Sequence, residues 1–374
     1  MSRMADTGIV IVGAGVVGLA VAARLAPEHP GLVILERQPR HGMETSSRNS
    51  QVIHAGIYYP RGSLKAVLCV EGRDRLYAFC GAHDVPHRKI GKLITATDPR
   101  ELPALDALES TARDNGVLLE RLSAEQARRL EPHVRSAGGL LSPESGIVDA
   151  HALMDRLLAR ALEAGAVFVP RANVVAVECT SDGYRLAVED AAGGETISAE
   201  RVVNAAGLEA DTIAALAGVD AESAGYRLYW CKGSYFSASP RCARLVSRLV
   251  YPIPGKDSLG VHAVVDLGGR LRFGPDVEYL TDRKADYRVE PARLAAFGEA
   301  ARRILPDVRD EDLEPDISGI RPKLQSPGGP LRDFVVAEES ARGLPGFYDL
   351  VGIESPGLTA ALAIAERVAG LIGR

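Results

Sequence analysis

The first 38 residues carry a succession of apolar and small positions that predicts a strand, a helix and a second strand. Residues 9–12 are continuously apolar, as is typical of a buried strand. A glycine-rich turn follows, and residues 19–25 supply the apolar and small positions of a helix. Residues 32–35 form a second apolar run. The order strand–helix–strand is typical of an α/β domain.

The rest of the chain alternates between helical periodicity and short β segments. Apolar residues recur at helical spacing over 64–80, and Ser123 with Gln126 three residues later forms the pattern of a helix N-terminus. Residues 40–62 are rich in Ser, Gly, Asn, Tyr and Pro, and a connection of that length predicts a functional loop. The other predicted elements are a strand at 92–97, helices near 99–115, 123–131 and 150–164, strands at 167–169, 174–177 and 184–188, a buried strand at 201–207 with a helix to 217, β segments between 226 and 290, a helix near 291–305, and a turn at 352–359 leading into a helix over 360–372.

The turn after the first strand carries the sequence Gly13-Ala14-Gly15-Val16-Val17-Gly18, a G-x-G-x-x-G fingerprint. Gly13 permits the tight turn, Gly15 lets the backbone approach a pyrophosphate, and Gly18 lets the helix pack close to the strand. Glu36 ends the second apolar run, where its carboxylate can accept hydrogen bonds from a ribose. The unit predicts a dinucleotide site, and by itself leaves FAD and NAD both open.

Composition and charge narrow the class of protein. The 374 residues are 46% hydrophobic and 25% charged, which suits one compact unit or two interleaved domains. A net charge of −5 with scattered basic residues predicts no nucleic-acid partner. Five cysteines without Cys-x-x-Cys or His-rich spacing argue against a disulfide framework or a metal site, and favour reduced thiols in a cytoplasmic protein. No apolar run reaches the about 18 residues of a spanning helix, and the fingerprint inside the N-terminal apolar stretch argues against a cleaved signal peptide.

Further motifs are spread along nearly the whole chain. They are residues 45–59 with 63–66 and 68–69, then 91–94, 146–149, 203–207, 251–254 with 259–262, 319–322 and 355–359. Together with the fingerprint, and in this order, they resemble the D-amino-acid-oxidase-type (DAO) superfamily of FAD-dependent oxidoreductases, and within it the L-2-hydroxyglutarate dehydrogenases. Residues 54–59 and their spacing to Lys65 are the most specific part of this resemblance.

The resemblance implies FAD as the cofactor and an α/β fold in which a Rossmann-like, glutathione-reductase-type domain is interleaved with an antiparallel-sheet (α+β) substrate domain. The FAD-binding domain is expected over 1–85, 146–225 and 318–374, and the substrate or cap domain over 86–145 and 226–317. Because only one fingerprint is present, we expect the organic substrate to reduce the flavin directly. The residues expected to bind FAD are Gly13, Gly15, Val16, Val17, Gly18, Glu36, Arg37, Thr45, Ser46, Ser47, Asn49, Ser50, Val174, Ala206, Gly207, Gly352, Ser355, Pro356, Gly357, Leu358 and Thr359.

The resemblance also implies oxidation of a small 2-hydroxy acid, with L-2-hydroxyglutarate as the leading substrate. Arg321, in Gly-Ile-Arg-Pro, is expected to bind a substrate carboxylate, because a guanidinium offers a bidentate fork. His54 and His262 are both candidate bases for the hydroxyl proton, since imidazole accepts a proton near neutral pH, and His54 is alternatively a flavin ligand. Weaker candidates for the substrate site are Tyr58, Tyr59, Lys65, Lys232, Tyr251 and Arg272.

Several alternatives stay open. Amine oxidation, as in glycine or sarcosine oxidases, and oxidation of glycerol 3-phosphate are the rival reactions, and a non-catalytic flavin sensor is the rival class. The sequence does not choose between oxygen, a quinone and an electron-transfer protein as electron acceptor, nor between covalent and non-covalent FAD. Peripheral contact with the inner membrane is compatible with the expected cytoplasmic location.

Overall fold

A computed structural model describes residues 5–190, 193–255 and 260–373. Leu259, which belongs to one of the motifs above, and the ends of the predicted domains at 1–4 and 374 lie outside the described residues. The helices are α1 (Val16–Leu25), α2 (Leu64–Ala82), α3 (Leu102–Asp114), α4 (Ala124–Leu130), α5 (Ala150–Glu163), α6 (Ala210–Leu216), α7 (Leu294–Ile304) and α8 (Gly357–Ile372). The strands are β1 (Thr7–Val12), β2 (Val33–Glu36), β3 (Val52–Ile53), β4 (His87–Arg88), β5 (Lys92–Ala96), β6 (Glu120–Ser123), β7 (Gly138–Ser142), β8 (Gly146–Val148), β9 (Val167–Pro170), β10 (Asn173–Thr180), β11 (Gly183–Asp190), β12 (Gly193–Asn204), β13 (Tyr229–Ala238), β14 (Leu249–Pro252), β15 (His262–Val265), β16 (Leu271–Gly274), β17 (Glu278–Tyr279), β18 (Leu313–Lys323), β19 (Val335–Glu339) and β20 (Leu344–Val351).

Contacts within the chain divide it into two compact units, each assembled from separated segments. The first unit contains the described residues up to Ser47, then Ala150–Trp230 and the described residues from Arg321 onward. The second unit contains Arg48–Asp149 and the described part of Cys231–Ile320. These units differ from the predicted domains at 48–85, 146–149, 226–230 and 318–320. Because such contacts do not show which residues bind cofactor or substrate, the domain boundaries remain a prediction.

The first unit is built on a mainly parallel sheet. Its strand order is β10-β11-β12-β1-β2-β9, and β20 lies beside β12 with β19 next to it. β12 pairs in parallel with β1, where Asn204 lies opposite Val12, and with β20, where Asn204 lies opposite Asp349. The carboxyl ends of three strands therefore lie side by side, and this is the edge at which ligands bind in open α/β sheets.

Helices α1 and α8 pack on each other within the first unit. Arg24 of α1 donates to the Glu366 carboxylate of α8 over 2.9 Å, which links the predicted first and last helices. The α8 helix begins at Gly357, three residues before the predicted start at Ala360. The turn therefore reaches its helix inside the motif 355–359, rather than after it.

The second unit contains a large, mostly antiparallel sheet with the order β17-β13-β16-β15-β14-β5-β7-β6, in which β18 also pairs with β13. β5 and β14 are parallel, and β14 is antiparallel to β15. This arrangement brings the start of β5 close to residues about 160 positions later in the chain, with Leu249 opposite Lys92. A small sheet, β3-β8-β4, completes the unit within the described ranges.

The predicted fold class is confirmed, since the structure combines a Rossmann-like parallel sheet with an interleaved, mostly antiparallel one. The helix start at Ser123 is also confirmed, because Ser123 and Gln126 exchange the two hydrogen bonds of a capping box. The predicted loop at 40–62 contains the short β3 strand and a turn of 3₁₀ helix at Thr45–Ser47. Across the described residues, every helix is too short or too polar to cross a membrane.

Candidate active site

The turn between β1 and α1 leaves no space for side chains. Gly13 has a φ of 101°, and a Cβ there would lie 2.6 Å from the Ala205 carbonyl oxygen. A Cβ on Gly18 would lie 2.0 Å from the Gly13 carbonyl oxygen, so the helix starts directly against the strand end. A Cβ on Gly15 would lie 3.0 Å from the Ser46 hydroxyl oxygen. The three glycines thus form a cradle that any larger residue would fill.

Glu36 ends β2 with its carboxylate turned toward this cradle. One carboxylate oxygen accepts a hydrogen bond from the Ala14 amide over 2.8 Å, and the other accepts from the Gln38 amide over 2.8 Å. Burial raises the pKa of Glu36, although both amide hydrogen bonds favour its ionised form. Each oxygen keeps a second lone pair, so the side chain can still accept from a ribose hydroxyl.

A cavity of about 450 Å³ opens over the cradle within the first unit. Arg37, at its rim, donates to Glu44 over 2.6 Å and pairs with Glu209 over 3.4 Å, so its charge is already neutralised by two carboxylates. Of the predicted FAD-binding residues, those that line the cavity are Gly13, Gly15, Glu36, Arg37, Thr45, Ser46, Val174, Ala206 and Gly207. The lining residues that were not predicted are Val12, Leu35, Gly42, Met43, Glu44, Ala172, Asn173, Val175, Ala205, Leu208, Glu209, Thr212, Ile213 and Leu216.

The wall opposite the cradle is apolar and includes a strand irregularity. The antiparallel register of β10 and β11 shifts between Val174 and Ala176, and Val174 and Val175 line the cavity there. A bulge removes backbone groups from the regular ladder and makes them available to a ligand. A glycine cradle, a helix start and an apolar wall with exposed backbone groups fit the adenosine diphosphate part of FAD.

The remaining predicted FAD-binding residues near the cradle lie at the start of α1 and in the loop after Glu44, where several of them form local hydrogen bonds. Val16, at the start of α1, donates its amide to the Ser46 hydroxyl over 3.0 Å. Ser47 donates its hydroxyl to the Glu44 carbonyl over 3.0 Å. Asn49 accepts from the Gln51 amide over 2.8 Å, and Gln51 has a φ of 57°. Val17 and Gly18 lie in the first turn of α1, and Ser50 lies beyond Asn49 in the second unit.

The six C-terminal candidates lie together in the turn between β20 and α8. Gly352 has a φ of 71°, and a Cβ there would lie 2.5 Å from a Leu324 methyl group. Beside this turn, the Lys323 ammonium pairs with the Glu354 carboxylate over 3.6 Å, and both side chains are buried. The candidates Ser355, Pro356, Gly357, Leu358 and Thr359 follow at the helix start. The structure thus places all six on one segment of the first unit.

Within the second unit, both candidate bases lie in one buried cluster of aromatic and basic side chains. The rings of Tyr251 and His262 stack with 3.8 Å between centroids and 16° between planes. His262 Nδ1 lies 2.8 Å from the Gly260 carbonyl oxygen, which can only accept, so Nδ1 carries the proton and Nε2 is the basic nitrogen of the neutral ring. Burial lowers the pKa of His54 well below its ordinary range, and the nearby Lys92 and His262 add to that shift. The lowered pKa favours the neutral form of His54, and the Gly260 contact fixes which nitrogen of a neutral His262 is basic.

Lys92 is the member of this cluster that the sequence analysis did not predict as a site residue. It is fully buried on β5, with its ammonium nitrogen 4.1 Å from the Tyr251 ring centroid and 5.4 Å from that of Tyr58. Burial lowers the pKa of Lys92 to about 7 and raises that of the Tyr58 hydroxyl above its ordinary range. A signal was present in the sequence, since a lysine begins the predicted strand at 92–97 immediately after Gly91.

The other predicted substrate-site residues lie on several different elements. Arg272 donates to the Asp316 carboxylate over 2.5 Å, so its charge is already compensated. Lys65 is buried on α2, and Lys232 is buried on β13. Arg321 lies on β18 at the first residue of a segment of the first unit, and is partly exposed. Tyr59 is also buried in the second unit.

Comparison with known proteins agrees with this architecture. Residues 8–371 match the DAO family, described as FAD dependent oxidoreductase. The chain is 43% identical to the mitochondrial L-2-hydroxyglutarate dehydrogenase of Arabidopsis thaliana, over 96% of this chain and 82% of the plant protein. It is 31% identical to the mitochondrial L-2-hydroxyglutarate dehydrogenase of Caenorhabditis elegans, over 96% of this chain and 92% of the nematode protein.

Solved structures show the same fold. The dithionite-reduced L-alpha-glycerophosphate oxidase of Mycoplasma pneumoniae, with FAD bound, superposes with a TM-score of 0.88 at 24% identity, over 98% of this chain and 95% of that one. At this identity the likeness carries the fold alone, whereas the family match extends over nearly the whole chain. The protein is therefore a member of the DAO family of FAD-dependent oxidoreductases and an enzyme that uses FAD.

Proposed function

We propose that this enzyme oxidises L-2-hydroxyglutarate to 2-oxoglutarate. The relatives with the greatest identity above carry the name L-2-hydroxyglutarate dehydrogenase, and they align over nearly all of this chain. The structural observation that supports the reaction type is the contact of His262 Nδ1 with the Gly260 carbonyl, which leaves Nε2 as the basic nitrogen of the neutral ring. An alcohol must lose a hydride from carbon and a proton from oxygen, and a fixed basic nitrogen is suited to receive that proton.

The roles of the residues follow from their chemistry. When bound, FAD supplies the acceptor for the hydride that leaves C2 of the substrate. Nε2 of His262 takes the hydroxyl proton in this proposal, with His54 as the alternative base, and the oxygen then forms the carbonyl of the 2-oxo acid. Arg321 binds a substrate carboxylate through its planar guanidinium. Tyr58 and Tyr251 supply hydroxyl groups from the same cluster as the histidines.

We keep the predicted FAD-binding residues in this proposal, and the cavity of the first unit, which several of them line, supports the assignment. The glycine cradle and the start of α1 are proposed for the pyrophosphate, and Glu36 for the ribose hydroxyls. The start of α8 is proposed for the flavin ring, since helix N–H groups stabilise the anionic charge of a reduced flavin. Arg272 is a weak candidate for the substrate, because releasing it would leave the Asp316 carboxylate without its partner.

We propose a reducing compartment for the protein, with the cytoplasm first. All five cysteines are free thiols, and four of them are buried. The names of the plant and nematode relatives contain the word mitochondrial, so the matrix is the alternative. Immunofluorescence of the full-length protein in its own cells separates the two.

The test is the visible spectrum of the purified holoenzyme under anaerobic conditions, before and after L-2-hydroxyglutarate is added. We expect the flavin band near about 450 nm to bleach and 2-oxoglutarate to accumulate in equal amount. The D enantiomer is the control for stereochemistry, and glycine, sarcosine and glycerol 3-phosphate test the rival reactions. Bleaching by one of these, with none by L-2-hydroxyglutarate, would reject the substrate and keep the cofactor.

Three variants test the assigned roles. Arg321→Met is expected to raise the KM for L-2-hydroxyglutarate by at least about tenfold, because a charged carboxylate loses its partner. His262→Gln and His54→Gln are expected to lower the rate of flavin reduction, and the true base is the one whose loss costs about 100-fold or more. Flavin content and thermal midpoint, measured on each variant, show that the cofactor and the fold are retained.

A further inference from the structure

Lys92 is a buried cation that forms no ion pair with a described residue. Its side chain is fully buried, and its ammonium nitrogen has no hydrogen-bond acceptor in the described part of the chain. The surroundings are the ring faces of Tyr251 and Tyr58, at 4.1 and 5.4 Å. Burial destabilises an ammonium ion relative to water, and the cation–π contacts offset only part of that cost. So costly a residue calls for an explanation beyond packing.

The pairing of strands explains why Lys92 lies beside the candidate bases. β5 is parallel to β14, so Lys92 and Tyr251 are close in the sheet, and β15 places His262 next to Tyr251. The Tyr251 ring therefore contacts both the Lys92 ammonium and the His262 imidazole. His54 lies in the loop after β3 and is close enough for the charges of Lys92 and His262 to act on it.

Further titratable side chains face this cluster from neighbouring elements. The loop after β3 contributes Tyr58 and Tyr59, and β13 contributes Tyr235 beside Tyr251. Helix α2 contributes the Cys69 thiol, which donates to the His54 carbonyl over 3.6 Å, and Arg73, which donates to the Ala55 carbonyl over 3.4 Å and pairs with Asp74 over 2.7 Å. Burial raises the pKa of Cys69 to about 12, so the thiol stays protonated. Among the causes that act on the pKa of His54, burial and the charges of Lys92 and His262 all favour its neutral form.

We propose that Lys92 is a positioning residue whose ammonium group adds to the effect of burial in keeping His54 and His262 unprotonated, and so able to accept the proton of the substrate hydroxyl. Adjacent buried bases share their protons, since a charge on one disfavours a charge on the next. The primary amine is the most basic of the three, so it takes the first proton and excludes a second. The link to turnover rests on the proposed function, whereas the coupling of Lys92 to the histidines does not.

The coupling is measured without turnover. Histidine labelled with ¹³C at Cε1 is incorporated into the oxidised holoenzyme, and the His54 signal, identified by its loss in His54→Gln, is followed by NMR between about pH 5 and 9. In the wild type we expect His54 to keep the shift of a neutral ring. In Lys92→Met, an isostere without charge, we expect the His54 signal to move toward that of a protonated ring at the low end of this range. A neutral-ring signal throughout the range in this variant, as in the wild type, overturns the proposal.

Lys89→Met is the matched control. Lys89 lies three residues earlier, and its ammonium is exposed and paired with Glu144 over 2.7 Å. The Lys89→Met variant removes one positive charge from the same unit, and we expect it to leave the His54 signal unchanged. A shift as large as that of Lys92→Met would show a general charge effect and overturn the specific role of Lys92.

A second measurement needs no neutral variant, and so decides the question if Lys92→Met does not fold. In wild-type holoenzyme labelled at lysine ¹³Cε, we expect the Lys92 signal, identified by its loss in Lys92→Arg, to titrate near pH 7. The His54 signal is expected to show a small inflection at the same pH, because the neighbouring charge disappears there. A Lys92 signal that titrates near its ordinary value, without an inflection of His54, overturns the proposal.

Turnover supplies the functional arm. At about pH 6, flavin reduction by L-2-hydroxyglutarate is expected to be about tenfold slower in Lys92→Met than in the wild type, and at about pH 8.5 the two rates converge because the wild-type amine is then neutral. Lys92→Arg, which keeps the charge, is expected to restore the rate at the lower pH. A loss of rate that is equal at both pH values indicates packing alone and overturns the role. If L-2-hydroxyglutarate reduces none of these proteins, the proposed substrate fails while the NMR result still decides the coupling.

Discussion

Asp349 offers a quantitative test of how the first unit is held together. It is fully buried on β20, and its carboxylate accepts a hydrogen bond of 2.6 Å from the Asn204 side chain. Asn204 also donates to the Ala210 carbonyl over 2.7 Å, and Glu339, fully buried on β19, adds a second carboxyl to the network. The network joins the strand ends that lead to the cavity lining and to the turn before α8. We therefore expect Asp349→Asn to make the stability of this unit much less dependent on pH.

The magnitude follows from the pKa of the folded state. Burial raises the pKa of Asp349 from 3.8 to about 7; the Asn204 hydrogen bond opposes that rise and Glu339 adds to it. The folded protein thus binds this proton more tightly than the unfolded chain, so the stabilisation is fully present below about pH 4 and is lost as the pH rises through about 7. The whole loss is about 4 kcal/mol, of which about 3 kcal/mol falls between pH 5 and 8.5. An asparagine keeps the acceptor for Asn204 and has no proton to lose.

Denaturant unfolding of the FAD-saturated holoenzyme at pH 5 and pH 8.5 measures this difference. The single tryptophan, Trp230, is buried in the first unit and reports its unfolding by fluorescence. We expect the wild type to lose about 3 kcal/mol more than Asp349→Asn between the two pH values. Asp114→Asn is the matched control, because Asp114 is exposed at the end of α3 and its loss should leave the pH slope unchanged. Parallel pH slopes for the wild type and Asp349→Asn would refute the reasoning.

Two further predictions concern the cradle for FAD. Gly13→Ala is expected to weaken FAD binding by at least about tenfold, because the new Cβ would lie 2.6 Å from the Ala205 oxygen. Titration of the apoprotein with FAD, followed by flavin fluorescence, measures the affinity. Gly31→Ala is the control and should bind FAD normally, because Gly31 also has a positive φ but a Cβ there would have nothing within 4 Å. Glu36→Gln replaces a carboxylate that accepts from two backbone amides, Ala14 among them, by a group with one acceptor oxygen, so we expect a loss of about 1–3 kcal/mol in FAD affinity in the same titration. Normal FAD affinity in Glu36→Gln would show that the charge of the Glu36 carboxylate does not contribute to FAD binding.

The first strand–turn–helix–strand unit could be predicted from the sequence because its signals are local. The strand, the glycine turn, the helix and Glu36 fall within 30 residues, and each carries its meaning in its own residue type. The start of α8 was predicted three residues late, because Gly357 and its neighbours lack the periodicity that marks a helix interior. The cavity wall was mostly missed, since residues such as Leu216 and Thr212 are ordinary helix positions until β10 and β12 are placed beside them.

The histidine cluster shows the limit of reading along the chain. His54 and His262 could be chosen by resemblance, but their neighbour Lys92 could not, because its partner strand β14 lies about 160 residues later. Which buried lysine faces an imidazole depends on strand register, and a shift of one residue would turn the Lys92 side chain to the other face of the sheet. The sequence shows only that a charged residue begins a mostly apolar strand.

Burial shifts the pKa values of Asp349 and Lys92 in opposite directions, because it disfavours the charged form of both groups. Each sits where its charge is costly, and each has a pKa near 7, so the protein contains one carboxyl and one amine that change charge in the same pH range. Rising pH places a negative charge on Asp349 in the first unit and removes the positive charge of Lys92 beside the candidate bases in the second. The first change lowers the free energy of unfolding. The second removes the charge that disfavours protonation of the histidines, at a pH where they are neutral without it. Stability and the rate of flavin reduction are therefore expected to respond differently as pH rises above 7, because separate residues in separate units control them.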